Sequence, residues 1–271
     1  MKKGLLRDLI ILLIVGLVLL AGGYFLARKL WDGGIELSSQ VSYEQESKLG
    51  DAIADVVAKQ YSIIENNAAD SALQIIKDRL VSAIDSSHYR YRFALLKSKQ
   101  INAFTIPGGN IYVFSGLVEM TESPEELAAV LSHEIGHVEK RHIVSKLVKD
   151  LSISIFLSAA TGGDPGVIAQ VLSDVVGNSF DRSQETDADE YGLQLLEKAE
   201  IAPKNLARFF ERMNEKDQDF DETLEILMTH PHNNKRIEQA RKFKTKNGFH
   251  PKPFDLDWEK VKKSREVKGG S

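Results

Sequence analysis

Apolar positions along the chain fall into three regimes, and each predicts a different kind of element. From Leu9 to Leu26 the sequence is uncharged and overwhelmingly apolar. At about 1.5 Å per residue such a run crosses most of a bilayer core with slight tilt. From Tyr43 onward the apolar positions thin to helical spacing, which predicts amphipathic helices over Tyr43–Lys59 and Ser71–Ile84. Between residues 91 and 114 the pattern becomes strand-like. Tyr91–Leu96, Ile101–Ile106 and Ile111–Phe114 read as strands, with Gly108-Gly109-Asn110 as a hairpin turn. Helical spacing then returns. Leu127, Val130, Leu131, Ile135 and Val138 follow Ser123-Pro124-Glu125-Glu126, which supplies an N-cap, a proline at the first helical position and a capping-box glutamate.

Two further apolar runs, Leu151–Ala160 and Val167–Val176, are split by Gly162-Gly163-Asp164-Pro165-Gly166. Each is too short to span a bilayer, so a helical pair closing the core is expected, with a cover over a cleft as the alternative. A proline at position 231 separates the preceding residues from a helix expected over Asn233–Lys244. Past Pro251-Lys252-Pro253, a short helix at Trp258–Lys263 reads as part of a peripheral tail. The expected architecture is α+β: mainly helical, with a small antiparallel sheet, preceded by one N-terminal transmembrane helix. In chain order this gives a basic segment at 1–8, a transmembrane signal anchor at 9–30, a linker at 31–41, one folded domain at 42–248 and a basic C-terminal tail at 249–271.

Charge orients the anchor and narrows the function classes. Lys2, Lys3 and Arg7 with the amino terminus stand before the apolar run, against Arg28 and Lys29 after it. That bias keeps the N-terminus cytoplasmic and places the folded domain on the extracytoplasmic side. The alternative is a secreted chain, cleaved at the small residues Ala21-Gly22-Gly23, but Tyr24, Phe25, Leu26 and Leu30 continue the apolar segment past that point. A charged fraction of 27% and a net charge of -4 offer no basic field for nucleic acid. The absence of cysteine excludes disulfides and a lipid-modified anchor cysteine.

The chemistry concentrates in His133-Glu134-Ile135-Gly136-His137, an HExxH pentad on the capped helix. Two imidazoles four residues apart sit about 40° apart around a helix, so both can close on one metal ion. Glu134 lies beside that stripe, placed to take a proton from a metal-activated water. A catalytic zinc site needs a third protein donor. Ile143 stands where a metzincin has its third histidine, which excludes that class. His142, about 140° around a continuous helix from His137, is expected to be a surface or capping residue. The downstream segment Phe180–Leu193 offers Glu185 and Asp189 on one helical face, with Ala188, Gly192, Leu195 and Leu196 as the packing side. There Glu185 would ligate, and Asp189 would hold an imidazole through its second ring nitrogen.

Four blocks together resemble a known family. They are Asn102-Ala103-Phe104 with Pro107-Gly108-Gly109 and Gly116-Leu117; Glu126-Leu127-Ala128 running into the pentad; Arg182-Ser183 with Glu185 and Asp189; and Thr229-His230-Pro231. The order and spacing over residues of about 42 to 245 are similar to those of the gluzincin metallopeptidases of the HtpX and BepA type, related to the CAAX prenyl proteases. The resemblance implies a zincin-type fold and one zinc ion per chain, held by His133, His137 and Glu185, with Glu134 as catalytic base. It implies that His230 lies near the metal, as a transition-state donor or as a reversible fourth ligand. It also implies that the strand at Asn102, Ala103 and Phe104 pairs with an extended substrate. The expected activity is a membrane-anchored zinc metalloendopeptidase acting on misfolded or membrane-associated proteins in envelope quality control, with residues 9–26 in the lipid bilayer. The alternative is a chaperone-like or latched zinc-binding module with little proteolysis.

Overall fold

The computed structural model describes residues 13, 15–24, 39–151, 153–177, 179–217, 226, 229, 230 and 234–264. An apolar helix occupies Val15–Tyr24, and its leucines 17, 19 and 20 are exposed. Among the described residues no single helix is long and apolar enough to cross a membrane. The rest of the expected anchor and most of the linker lie outside them.

The first capped element is α1 (Tyr43–Gln60), where Ser42 and Gln45 form a reciprocal capping box. It is followed by β1 (Ile63–Ile64) and α2 (Ala68–Ser82), which starts where Asn67 accepts a bond from the Asp70 amide. Strands β2 (Arg92–Leu96), β3 (Ala103–Ile106) and β4 (Asn110–Phe114) complete a four-stranded sheet in the order β1-β2-β4-β3. The β3–β4 hairpin is antiparallel and turns at Gly108 and Gly109, both at φ 81°.

The expectation of an antiparallel sheet is corrected here: β2 and β4 run parallel, so the sheet is mixed. The connection after β2 carries the chain past one strand position, and the hairpin then folds β4 back into it. Phe114 donates to the Asn102 carbonyl and Gly116 to that of Ser98, which fixes this insertion. All five residues of β4 are buried, so its side-chain pattern carries no sign of which neighbour it takes.

The sheet separates two cores. On one side Phe93, Leu95, Ala103, Ile111 and Val113 face α2 and the metal-motif helix α4 (Pro124–Glu139), reached through α3 (Ser115–Met120). On the other side Phe104, Ile106, Tyr112 and Phe114 meet α1 together with α5 (His142–Leu151), α6 (Ile153–Ala160) and α7 (Pro165–Gly177). Phe156, Ala159, Val171 and Leu172 are buried there, so the α6–α7 pair, bent by 114°, closes the second core.

Helix α8 (Arg182–Lys198) packs along α4, and the remaining helices α9 (Lys204–Asp217), α10 (Asn234–Lys242) and α11 (Trp258–Ser264) cover the first core. The approach of α4 and α8 depends on two glycines. A Cβ on Gly136 would lie 2.7 Å from the Ala188 carbonyl oxygen, and one on Gly192 would lie 3.1 Å from the His133 amide. The C-terminal tail, expected to be peripheral, is docked as far as Ser264. Trp258 and Val261 fall on one helical face, enter the first core, and the Trp258 indole donates to the Thr121 carbonyl at 3.0 Å.

Candidate metal centre

Helix α4 begins at Ser123, whose hydroxyl accepts from the Glu126 amide, and carries His133, Glu134 and His137 into the interior. Helix α8 begins at Asp181, capped reciprocally with Gln184, and brings Glu185 and Asp189 to the same point. His230 arrives from the segment before α10; its amide donates to the Ile226 carbonyl, and its neighbour Thr229 accepts from the Phe180 amide. All six side chains are buried.

One atom each from His133, His137, Glu185 and His230 lies within 4.8 Å of the other three. His133 Nε2 is 3.0 Å from His137 Nε2 and 3.2 Å from His230 Nδ1. Glu185 Oε1 is 3.3 Å from His137 Nε2 and 3.0 Å from His230 Nδ1. Two ligand atoms on a tetrahedral zinc ion, each at about 2.0–2.1 Å, are separated by about 3.3 Å. Four of the distances among these atoms, 3.0–3.3 Å, are of that size, and the four donors lie close enough together to surround one ion.

The second ring nitrogens support the same interpretation. Asp189 Oδ1 lies 2.9 Å from His133 Nδ1, near enough to claim its proton, although the approach is off the N–H direction. A proton held there would leave the Nε2 lone pair of His133 turned inward. His137 Nδ1 faces His142 Nδ1 at 3.0 Å, and Phe180 stacks on the His137 ring at 3.9 Å between centroids. Burial pushes the His137 imidazole well below its ordinary pKa, so it stays neutral, as a metal ligand must. Inward ring nitrogens and a carboxylate gathered at this distance are a donor set that could hold a zinc ion.

His142 departs from expectation. It is buried, and burial pushes its imidazole down to about 4. Helix α4 stops at Glu139 and Arg141 takes φ 54°, so His142 opens a new helix and the angle extrapolated along a continuous one does not apply.

The carboxylates are held by a residue the sequence pattern does not mark. Arg236, buried on α10, donates Nε to Asp189 Oδ2 at 2.6 Å and Nη2 to Oδ1 at 2.8 Å. Its Nη1 is 2.6 Å from Glu185 Oε2, and its guanidinium lies over the Phe210 ring at 4.6 Å. Burial alone would raise Glu185 and Asp189. For Glu185, His230 and His133 outweigh it; for Asp189, Arg236 and His133 do so, and both groups are held below the usual carboxylate range.

Glu134 presents its two oxygens differently. Oε2 accepts from Thr105 Oγ1 at 2.8 Å, whereas Oε1 has no hydrogen-bond partner among the described residues and stands 3.4 Å from His230 Nε2. An apolar recess lined by Val130, Leu206, Phe209, Met213 and Ile226 adjoins His133, Glu134 and His230. Of the expected substrate strand, Asn102 is buried with both amide atoms unpartnered among the described residues, and Ala103 is core. Phe104 stacks on Tyr112 in the second core at 5.2 Å between ring centroids. Strand β3 is an edge strand, yet all four of its residues are buried, with α4 and α7 packed on it.

Comparison with known proteins agrees with this geometry. The pattern of peptidase family M48 matches residues 67–244. A beta-barrel assembly-enhancing protease of Escherichia coli K12 is 28% identical over 255 residues, covering 89% of this chain and 52% of the relative. The metalloprotease LoiP of the same strain is 30% identical, covering 70% of this chain and 73% of LoiP. A mitochondrial metalloendopeptidase OMA1 of Schizosaccharomyces pombe is 30% identical over 61% of this chain and 50% of its own length. The chain spans about half the length of the beta-barrel assembly-enhancing proteases it matches. With the family pattern extending over strands β2 to β4, both metal-motif helices and His230, the chain belongs to peptidase family M48, a family of zinc-dependent metallopeptidases.

Proposed function

We propose that the domain at 42–248 hydrolyses internal peptide bonds with one zinc ion held by His133, His137 and Glu185. The observation that carries this reading is the convergence of His133, His137 and Glu185 on one point, beside a buried glutamate whose Oε1 has no hydrogen-bond partner among the described residues. Zinc in that position supplies Lewis acidity, polarising a peptide carbonyl and making a nearby water acidic. Glu134 takes the proton of the attacking water on Oε1 and delivers it to the leaving amine. Asp189 holds His133, and Arg236 holds Asp189 and Glu185. His230 Nε2, close to Glu134 Oε1, is the donor for the developing oxyanion, and Asn102, whose amide has no partner among the described residues, offers it to a substrate backbone paired along Ala103 and Phe104.

The reading extends to location and substrate. The apolar segment at 9–26 tethers the domain to a bilayer, with the domain on the extracytoplasmic side, and the substrates are misfolded or membrane-associated envelope proteins. Relatives named for β-barrel assembly support that substrate class.

One observation favours a second reading, a latched zinc-binding module. His230 Nδ1 lies 3.2 Å from His133 Nε2 and 3.0 Å from Glu185 Oε1, so His230 would serve as a fourth ligand in place of an attacking water. The test measures zinc content and cleavage of denatured casein by the native protein, Glu134→Gln and His230→Ala. Equal cleavage by the native protein and Glu134→Gln sinks the mechanism. Cleavage by His230→Ala alone establishes the latch.

A further inference from the structure

The hydrogen bond between Thr105 and Glu134 joins the edge strand of the sheet to the group read above as the base. We infer that Thr105 is a positioning residue for Glu134: it pins one carboxylate oxygen so that the other is the sole proton acceptor, and it ties the base to the strand on which substrate is proposed to pair. The inference rests on the assignment of Glu134 as base.

Along β3 the side chains alternate, with Ala103 toward the α4 side and Phe104 and Ile106 in the opposite core. Thr105 shares the face of Ala103, and its hydroxyl donates to Glu134 Oε2 at 2.8 Å. Thr105 and Glu134 are 2% and 1% exposed, so no bulk water competes for the bond. Valine would fill the same volume, so packing alone does not call for a hydroxyl at this position. Without the bond, neither oxygen of a buried carboxylate has a hydrogen-bond partner among the described residues. The terminal torsion of a glutamate is broad and two-fold, so an unpinned carboxylate exchanges its oxygens and loses its aim. With the bond in place, Oε2 is committed to β3, and Oε1 is left facing His230 Nε2 at 3.4 Å.

The consequence is a division of labour within one carboxylate and a mechanical link from β3 to the base. A displacement of β3 moves Oγ1, and Glu134 follows it. Misplacing a reacting group by about 1 Å costs up to about 100-fold in rate.

The experiment uses the chain of residues 1–271 in detergent, with denatured casein as substrate, and compares native protein, Thr105→Val and Thr105→Ser. Thr105→Val is expected to lose about 10- to 100-fold in kcat, with KM and zinc content unchanged. Thr105→Ser, which keeps the hydroxyl, is expected to return within about 3-fold of native. A valine variant within about 2-fold of native overturns the inference, as does a serine variant as slow as valine at full zinc occupancy. Thermal melting supplies a readout independent of turnover. The melting-temperature losses of Thr105→Val and Glu134→Ala should be less than additive in the double variant, and additive losses overturn the contact. Native activity in Glu134→Gln sinks the assignment of the base alone, and the melting cycle still decides whether Thr105 holds that carboxylate.

Discussion

Arg236 closes a two-pronged fork on Asp189, at 2.6 and 2.8 Å, while its third nitrogen stands 2.6 Å from Glu185. One cation thus holds both carboxylates that α8 delivers to the candidate metal centre. Arg236→Gln removes that cation and leaves two buried anions short of a partner, a loss of about 3–5 kcal/mol in comparable sites. Zinc affinity should fall by about 10- to 100-fold, because the variant disturbs what orients the ligands rather than a ligand itself. Competition with a chromogenic chelator measures this directly. Arg236→Lys keeps the charge but cannot make the fork, so it should recover stability better than affinity.

Glu185 and His142 both touch His137, at 3.3 and 3.0 Å, yet from opposite sides of its ring. Glu185 faces the inward Nε2, and His142 faces Nδ1. Glu185→Ala should therefore abolish stoichiometric zinc on dialysis against buffer, whereas His142→Ala should retain the metal and lose about 10-fold in affinity. Atomic absorption on the dialysed proteins separates the two. Retention of zinc by Glu185→Ala would remove Glu185 from the ligand set.

What the sequence discloses follows the reach of its periodicities. His133, Glu134 and His137 lie within one helical turn, and Glu185 and Asp189 within another, so spacing alone groups each set. Thr105 and Arg236 are invisible to that reasoning: their partners are 29 and 47 residues away, and neither sits in a pattern that distinguishes it from an ordinary strand or surface helix residue. Phe180 was legible only as the start of a segment, since its stacking on His137 depends on how α4 meets α8. His142 escapes the periodicity argument because a left-handed residue at Arg141 breaks the helix, and arginine gives no warning of that conformation. The strands were readable, but β4 is buried on both faces, and the parallel pairing with β2 leaves no trace in alternation.

Gly136 lies inside the pentad and against α8, which makes it a sensitive probe of that helix pair. Gly136→Ala places a methyl 2.7 Å from a backbone oxygen that cannot rotate away. The helices must separate, at a cost of about 1–3 kcal/mol. For a domain of this size that corresponds to a fall in melting temperature of roughly 2–12 °C. Zinc should weaken in parallel, since the displacement moves Glu185 from the histidines. An unchanged melting temperature together with native zinc affinity would show that the pair does not pack this closely.

The C-terminal tail looks dispensable by composition, but its docking argues otherwise. Trp258 is 7% exposed and bonded to the Thr121 carbonyl, Val261 is buried beside it, and Asn67 donates to the Ser264 carbonyl at 2.7 Å. Trp258→Ala should cost about 3–5 kcal/mol, the usual loss for a large buried aromatic side chain. Removal of residues 249–271 should cost at least as much. Denaturant unfolding of the two variants checks both values, and a truncated chain as stable as the native one would mean that the tail only rests on the surface.

Lys146 gives a pH dependence whose sign can be worked out. It is buried on α5, its ammonium lies over the Phe180 ring at 5.1 Å, and it donates to the Asp174 carbonyl at 3.3 Å. Burial nevertheless dominates and pushes the amine down to about 8. Above the ordinary lysine pKa of about 10.4 the group is neutral in both folded and unfolded chains, and it costs nothing. As pH falls from there toward 8, the unfolded chain binds a proton that the folded chain refuses, so stability drops. Below 8 both are protonated and the deficit stays constant, at most about 3 kcal/mol. Lys146→Met removes the titration, so the variant should melt higher than the native protein at pH 7, and the gap should close between pH 8 and 10.5. Other groups also titrate over that range, so the informative quantity is the difference between the two melting curves at each pH. A difference that does not vary with pH would show that Lys146 keeps an ordinary pKa and reaches solvent.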